Sequence, residues 1–294
     1  MKTVLVPTHE RQNYIERIVK YYGKYDVNLV IVDSSKKRYN TDFDGDKITY
    51  LHVPKLSFYE KIIKACDEIN DEFLVLAPDD DFIYYPSIQN SYEKMNADKR
   101  ISLCMGEFEF FHVRNVNHIY HRPSSFLNNK KLMSESKRVQ ISHFMGNYSQ
   151  VLWSAYRKDV FLKSMQLLKL ACFENENFIE ISIASTALSM GNIFYMNKYF
   201  GLREETDEEH WGSRHKSISL HNTRDLDKLH NLHYDEFEND NSKLIINGYF
   251  QFIKRRKTFS FRLYRYLRSN IENALINRDN ISQAKEDALL VIKN

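Results

Sequence analysis

The sequence predicts an α/β protein whose N-terminal part is a parallel sheet, and two observations support that prediction. Short runs rich in Val, Ile and Leu end abruptly in polar residues, which is typical of strands buried on both faces. Helical candidates at 10–23 and 58–69 separate the runs in the order strand, helix, strand, strand, helix, strand, which favours a parallel arrangement. The strand candidates are 2–7, 27–33, 47–53 and 73–77.

Composition indicates a folded, non-repetitive chain. Its 294 residues are 43% hydrophobic, enough for a sizeable core. Three widely spaced cysteines, Cys66, Cys104 and Cys172, argue against a disulfide framework and favour a reducing compartment. The first apolar run is too short for a signal-peptide core, and no later run reaches membrane-spanning length. We therefore expect a cytoplasmic protein.

Positive charge is concentrated near the C-terminus. Residues 252–271 contain seven Lys and Arg and no acid, although the whole chain carries a formal charge of only +3. A helix over 257–275 would be amphipathic, with one apolar side and one basic side. Such a helix fits the inner face of a cell membrane, a homo-oligomer contact or packing on the rest of the chain, and it is weak support for nucleic-acid binding. The apolar side comprises Phe259, Leu263, Tyr266, Leu267 and Ile271, and the basic side Arg262, Arg265 and Arg268.

Polar residues follow three of the predicted strands. They read PTHER at 7–11, DSS at 33–35 and PDDDF at 78–82. Parallel α/β sheets bind ligands beyond the carboxyl ends of their strands, where loops and helix N-termini converge. We therefore expect the functional site to be built from these three segments.

The acidic triplet Asp79, Asp80 and Asp81 is the strongest chemical signal in these segments. Adjacent carboxylates repel one another, so the fold must offset them with a cation or with several hydrogen-bond donors. A divalent cation that also binds a diphosphate would do so, because Mg²⁺ and Mn²⁺ prefer hard oxygen ligands. The alternative is that the triplet caps the following helix or is a solvated turn.

Taken together, PTHER, IVDSS and LAPDDDF at these spacings resemble the family 2 glycosyltransferases. The resemblance is greatest to a bacterial branch whose metal motif is Asp-Asp-Asp-Phe, and it covers about the first 105 residues. It implies a GT-A fold, a Rossmann-like mixed sheet flanked by helices. The corresponding division is a nucleotide-sugar-binding half at 1–105, an acceptor-binding and catalytic half at 106–235, and a basic helical C-terminal extension at 236–294.

The resemblance also implies roles for individual residues. Asp79 and Asp81 would bind Mn²⁺ or Mg²⁺, with Asp80 contributing to the diphosphate site. A basic residue on the helix before the metal strand would contact the phosphates, and Lys61 is the candidate, with Lys55 and Lys64 as rivals. A solvated helix charge is the alternative for each lysine. The residues assigned to the nucleotide base and ribose are Pro7, Thr8, Glu10, Arg11 and Asp33, although helix capping and surface charge are alternatives for Thr8 and Arg11.

Glu180 is the candidate general base. It lies in the helical candidate 177–190, which is apolar nearly all round and therefore predicted to be buried, and an acid there is costly unless it is paired or functional. In the resembled family an acidic residue lies about eleven positions before a helix-ending Gly, and Glu180 stands eleven before Gly191. Glu176 is the runner-up. A structural acid bonded to a neighbour is the alternative.

The segment HWGSRHKS at 210–217 has the donors and the glycine of a loop that could close over a diphosphate, and His210 and Arg214 are its candidate ligands. The five histidines in 210–233 make zinc an alternative, but their spacing matches no standard site.

The resemblance implies inverting transfer of a sugar from a nucleoside-diphosphate sugar to a glycan or lipid-linked acceptor hydroxyl, in surface polysaccharide synthesis. Two alternatives stay open. A sugar-phosphate nucleotidyltransferase uses a similar sheet but has a Gly-rich loop after its first strand, which PTHER lacks. A non-catalytic protein on the same fold would dock on membrane or RNA through the basic segment.

Overall fold

The computed structural model describes most of the chain. The described residues are 2–40, 43, 46–112, 115–121, 127–205, 218, 223–237, 241–260, 262–263 and 282–293.

Nine strands in the described residues join in one mixed sheet. They are β1 (Lys2–Thr8), β2 (Val27–Asp33), β3 (Ile48–His52), β4 (Phe73–Leu76), β5 (Phe82–Ile83), β6 (Ile101–His112), β7 (Asn115–His121), β8 (Ala155–Arg157) and β9 (Asn192–Glu205). Their order across the sheet is β3, β2, β1, β4, β8, β6, β9, β5, and β7 pairs with the end of β6.

Helices flank this sheet, some packing on it directly and others packing on those helices. They are α1 (Ile15–Tyr22), α2 (Phe58–Cys66), α3 (Tyr85–Ala97), α4 (Asn129–Leu132), α5 (Lys137–Gly146), α6 (Lys158–Ala171), α7 (Phe178–Met190), α8 (Thr223–Phe237), α9 (Asn241–Arg256) and α10 (Ser282–Lys293). A short 3₁₀ turn, Gln12–Tyr14, precedes α1. The predicted mixed α/β sheet flanked by helices is therefore confirmed.

The N-terminal half of the sheet is parallel, as predicted. Strands β3, β2, β1 and β4 all run in the same direction, and Thr8 at the end of β1 is in register with Asp33 at the end of β2. Both strands are almost entirely buried because helices cover the two faces. The carboxyl ends of β1, β2 and β4 consequently meet at one edge of the sheet.

The second half of the sheet is mixed and continuous with the first. Strand β8 runs antiparallel to β4 and β6, whereas β6 and β9 are parallel over most of their length. The predicted division at residue 105 falls within β6, and the one at 235 falls within α8. The two halves thus share one sheet and two hydrophobic clusters, which lie on its opposite faces.

Local sequence explains where the two functionally interesting helices begin. A capping box starts α2, since Ser57 accepts the Glu60 amide and Glu60 accepts the Ser57 amide, and this places Lys61 in the first turns. Helix α7 is apolar nearly all round and buried along its length, with Glu180 in its first turn. Both helices therefore direct one charged residue into an otherwise apolar layer.

The C-terminal extension folds back onto the rest of the chain. Helix α9 packs on α5, and α10 packs on α1. The Asp287 carboxylate of α10 accepts bonds from Lys24 Nζ at 2.8 Å and from the Tyr25 hydroxyl at 2.6 Å. Across the described part of the chain, every helix is too short or too polar to span a membrane.

We predict that Gly201→Ala destabilises the fold. A Cβ at position 201 would lie 2.4 Å from the Phe82 carbonyl oxygen, so β5 and β9 would have to separate beside the acidic triplet. The expected loss is about 1–3 kcal/mol in the free energy of unfolding, measured by urea denaturation.

Gly146→Ala is the matched control, because the nearest atom to a Cβ there is 3.9 Å away and the residue is helical. That variant should be neutral or gain up to about 1 kcal/mol. Equal stability of the two variants would contradict the close strand contact.

Candidate active site

The three polar segments predicted to form the site converge at the carboxyl ends of β1, β2 and β4. Pro7 is buried within β1, and the Thr8 hydroxyl donates a 2.7 Å hydrogen bond to Asp79 Oδ2. Lys61 Nζ donates to the Thr8 carbonyl oxygen at 2.6 Å and to the Ser34 hydroxyl at 3.2 Å. Thr8 thus contacts the acidic triplet and does not cap a helix.

Asp33 is a fully buried hydrogen-bond acceptor at the end of β2. Its carboxylate accepts the Ser35 amide at 2.8 Å, the Tyr50 hydroxyl at 2.6 Å and the Gln12 side-chain amide at 3.4 Å. Burial acts to raise the pKa of Asp33, but these donors outweigh it and hold the pKa below its ordinary value. Asp33 is therefore an ionised group whose hydrogen-bond donors all come from the protein.

Glu10 lies at the rim of the same site. Its backbone has a φ of 55°, in the left-handed region, and its side chain is exposed. The Glu10 amide donates to the Ser35 hydroxyl at 2.7 Å, and its carboxylate accepts the Lys36 amide at 2.8 Å. These bonds tie the loop after β1 to the loop after β2, so the two segments form one surface.

The acidic triplet is neither a helix cap nor a solvated turn. Asp79 is 5% exposed and Asp81 is 3% exposed. The residue before α3 is Tyr84, which makes no side-chain cap, and the short strand β5 separates it from the triplet. Both alternatives that the sequence left open for the triplet are therefore wrong.

Two arginines offset the triplet's charge. The Arg11 guanidinium lies 3.0 Å from Asp79 Oδ1 and 2.7 Å from Asp80 Oδ2. Arg203, at the end of β9, lies 2.8 Å from Asp81 Oδ2, and the Glu204 amide donates to Asp81 Oδ1 at 2.9 Å. The protein therefore supplies positive charge at the triplet from two arginines, and the divalent cation expected there stays a prediction.

Burial still disfavours negative charge here. It raises the pKa of Asp79 to about 6, although Arg11 acts to lower it, and it raises the pKa of Asp81 against the opposing effect of Arg203. The energetic consequence is that a cationic ligand at the triplet would be stabilised by two carboxylates that water solvates poorly.

The donor chemistry of the triplet fits a hard divalent cation that takes its other ligands from a diphosphate and water. Asp80 is the most exposed of the three, and its Oδ1 has no hydrogen-bond partner among the described residues. The described part of the chain contains no group of three His, Cys, Asp or Glu side chains able to hold a metal without such help. Asp79 and Asp81 stay the predicted ligands. Each would give up its contact with an arginine when it binds the cation.

Lys61 is the buried member of the three candidate lysines. It is 4% exposed, and burial lowers its pKa to about 8 although Asp79 and Asp33 act in the opposite direction. Lys64 is exposed beside Asp67, and Lys55 is also exposed. The solvated-charge alternative is therefore wrong for Lys61, which lies between the triplet and Asp33.

Glu180 connects to the triplet through a chain of hydrogen bonds. Arg203 donates to Gln150 Oε1 at 2.6 Å, and the Gln150 side chain donates in turn to Glu180. The Tyr148 hydroxyl also donates to Glu180 Oε2, at 3.3 Å. Glu180 is partly accessible and forms no salt bridge within the described residues.

The pKa of Glu180 lies above its ordinary value, so the protein environment favours the protonated acid. Burial raises its pKa, while Gln150, the charge of Arg203 and Tyr148 act to lower it. Glu176, one turn earlier on the chain, instead lies near Tyr59, whose pKa it raises in addition to the effect of burial. The two candidate bases thus have different neighbours, and Glu180 is the one joined to the triplet.

The histidine candidates and Arg214 are not among the described residues that meet at the triplet. His210 and Arg214, together with His215 and His221, lie outside the described residues. His233 is buried against Ser182 of α7, and burial lowers its pKa to about 4, while His230 contacts Ser242 at 2.7 Å. Each of the two described histidines of the zinc alternative therefore contacts a serine of another helix.

Sequence reasoning missed Arg203, Gln150, Glu204 and Tyr148. Arg203 and Glu204 close a strand that carries no recognisable motif, and they are more than 120 residues from Asp81. Gln150 is an exposed polar residue in an irregular segment. No local pattern identifies such residues, because only the pairing of β9 with β5 and β6 brings them to the triplet.

Comparison with solved structures identifies proteins of the same fold. The crystal structure of S. aureus TarS 1–349 in complex with UDP matches with a TM-score of 0.53, at 13% identity over 88% of this chain and 73% of that one. The complex of TarS 1–349 with UDP-GlcNAc matches with a TM-score of 0.55, at 14% identity over 100% and 90%. Identities this low show a shared fold and do not assign residue roles.

No protein-family model matches the chain, and no curated protein matches it in sequence. The resemblance to family 2 and the Asp-Asp-Asp-Phe metal motif therefore stay predictions.

We predict that the effect of Lys61→Met on the free energy of unfolding depends on pH, because the wild-type protein buries an ionisable lysine. The pKa of Lys61 is about 8 in the folded protein and 10.5 ordinarily, so the unfolded chain binds more protons between these values. The contribution of Lys61 to the free energy of unfolding should consequently rise with pH across this window, by at most about 3 kcal/mol relative to the methionine variant.

Urea unfolding of both proteins at several pH values measures this difference. Lys64→Met, a substitution of an exposed lysine on the same helix, is the matched control and should show no such trend. The difference in the free energy of unfolding between the wild type and Lys61→Met should therefore change with pH. If it is constant, Lys61 is not buried as an ionisable group.

Proposed function

We propose that the protein is a glycosyltransferase that moves a sugar from a nucleoside-diphosphate sugar to an acceptor hydroxyl. The observation that supports this best is the cluster of polar and charged side chains at the carboxyl ends of β1, β2 and β4. Lys61 bonds to Thr8 and Ser34, Thr8 bonds to Asp79 of the triplet, and Glu180 lies near Arg203. The cluster combines a nucleotide-type acceptor, cations for a diphosphate and a candidate base at the ligand-binding edge of the sheet.

A uridine diphosphate sugar is the donor class that we propose. TarS, which shares the fold, was crystallised with UDP and with UDP-GlcNAc. The ionised Asp33 would accept a hydrogen bond from the base or the ribose in place of the Gln12 side-chain amide, whose bond to it is the longest at 3.4 Å, and the loops holding Thr8 and Glu10 would lie beside it. Lys61, Arg11 and Arg203 would then supply positive charge around the diphosphate.

A divalent cation, Mn²⁺ or Mg²⁺, would be held by Asp79 and Asp81 with Asp80 beside them. When bound, such an ion neutralises the charge that develops on a diphosphate leaving group. Arg11 and Arg203 already lie within hydrogen-bond distance of these carboxylates, so they are placed to turn toward the phosphate oxygens. The arginines and the acids thus form the half of the site that receives the leaving group.

Glu180 would deprotonate the acceptor hydroxyl as it attacks the sugar. A carboxylate with a raised pKa is a stronger base, and Gln150 and Tyr148 hold it in place. One base and one displacement imply inversion at the anomeric carbon. The acceptor that we propose is a glycan or lipid-linked hydroxyl, in surface polysaccharide synthesis.

The alternatives lack comparable support. The loop after β1 contains no glycine and is held by hydrogen bonds and ion pairs of the Thr8, Glu10 and Arg11 side chains, unlike a loop that wraps phosphates with its backbone. A non-catalytic protein would not need a partly accessible carboxylate in a buried helix without a paired cation.

We predict that UDP binds more tightly than GDP, CMP or dTDP, and at least about tenfold more tightly with Mn²⁺ than without it. Isothermal titration calorimetry on the full chain measures each affinity. Asp81→Asn should abolish the gain in UDP affinity that Mn²⁺ provides, because it removes a ligand charge while keeping the side-chain shape. Asp67→Asn, at an exposed position, is the control. Absence of binding to all four nucleotides would sink the proposal.

We predict that Glu180→Gln lowers kcat by about 10²- to 10⁴-fold, the usual contribution of a general base. Turnover of the best-binding UDP-sugar, detected as UDP release, measures the loss. Glu176→Gln is the matched control one turn away and should retain activity within a few-fold. A larger loss of kcat in Glu176→Gln than in Glu180→Gln would make Glu176 the base.

The pH profile of kcat separates a base from a structural acid. Activity should rise with pH through the pKa of Glu180, which lies above its ordinary value of 4.5. Gln150→Ala removes a hydrogen bond that lowers this pKa, so the acidic limb should move to higher pH. A limb that does not move would argue against Gln150 as a positioning residue.

A further inference from the structure

An exposed surface that is both basic and apolar covers the last turn of helix α9 and the residues after it. We call it the basic patch and define it as the exposed residues Lys254, Arg256, Lys257, Phe259, Arg262 and Leu263. Phe259 is 75% exposed and Leu263 is 45% exposed. The sequence left open whether this apolar side packs on the catalytic domain, and for these two residues that reading is wrong.

The patch has the spacing and charge of an interfacial segment. Phe259 and Leu263 are four positions apart and helical, so they lie on the same side, and Arg262 N bonds the Thr258 carbonyl oxygen at the start of that turn. No acid occurs anywhere in 252–271. Positive charge around two exposed apolar side chains is therefore not neutralised within the segment.

Helix α9 connects this patch to the candidate base. The Tyr148 ring contacts the rings of Tyr249 at 5.3 Å and Phe252 at 6.2 Å between centroids, and the Tyr148 hydroxyl donates to Glu180. From Tyr249 to Arg256 the helix rises only about 10 Å. The patch consequently lies about two helical turns from the aromatic contacts that flank Glu180.

We propose that the basic patch docks the protein on an anionic lipid bilayer. Lys and Arg bind acidic headgroups, and Phe259 and Leu263 enter the boundary between headgroups and acyl chains. A soluble polyanion would satisfy the charges and leave both apolar side chains in water. A second copy of the chain meeting this face would bring like charges together.

Docking in this way would bring the Glu180 side of the molecule near the membrane surface. That consequence rests on the proposed function, since it matters only if Glu180 receives an acceptor presented at the bilayer. Docking itself does not depend on sugar transfer, and its test therefore needs no substrate.

Flotation of the full chain with vesicles tests the proposal. We expect at least about tenfold stronger binding to phosphatidylcholine mixed with phosphatidylglycerol than to phosphatidylcholine alone, because each basic residue near an anionic surface contributes to binding. Raising the salt to about 1 M should release the protein, since the Debye length falls to about 3 Å.

Two double variants separate the charge from the apolar contribution. Lys254→Glu with Lys257→Glu, and Phe259→Ser with Leu263→Ser, should each lower binding to the anionic vesicles at least about tenfold. Leu170→Ser is the apolar control, because Leu170 is 72% exposed on α6. Lys130→Glu with Lys131→Glu, at exposed positions on α4, is the charge control, and neither control should lose binding.

Three results would overturn the proposal. They are equal binding to neutral and anionic vesicles, unchanged binding by both patch variants, and a dimer in sedimentation velocity that only the patch variants dissociate. UDP titration of the same variants distinguishes the two hypotheses. Patch variants that still bind UDP but not vesicles support docking, and vesicle binding without any nucleotide binding would leave docking standing while the proposed function fails.

Discussion

The interaction on which the site depends is the neutralisation of the buried carboxylates that follow β4. Asp79 and Asp81 are almost inaccessible, and an uncompensated charge at such depth costs several kcal/mol. Arg11 and Arg203 supply the compensation from opposite directions in the chain, one from the loop after β1 and one from the end of β9. The acidic triplet thereby joins the first strand of the sheet to its last long strand.

This arrangement also explains how the predicted base comes to belong to the same site. Arg203 donates to both Asp81 and Gln150, and the Gln150 side chain donates in turn to Glu180. A guanidinium suits this position because it presents several donors in a fixed plane, which an ammonium group does not. Arg203 therefore links the carboxylate of Asp81 to the surroundings of Glu180.

The parallel half of the sheet, its helices and the three polar segments were predictable because each depends on neighbouring residues. Runs of Val, Ile and Leu with polar ends specify buried strands, and PTHER, DSS and PDDDF follow directly from them. The burial of Lys61 was not predictable, since a lysine in the first turns of an amphipathic helix is ordinarily solvated. Its position between Thr8 and Ser34 results from the packing of α2 on β1 and β2.

By itself, the sequence determined the α/β class, the edge of the sheet where the three polar segments meet, and Glu180 as an acid in an apolar helix. Only the tertiary structure decided what neutralises the triplet, which lysine enters the site, which residues link Glu180 to Asp81, and that Phe259 and Leu263 are exposed. The physical reason is range: strand and helix patterns are encoded over a few residues, whereas charge compensation and burial depend on contacts between segments more than 100 residues apart.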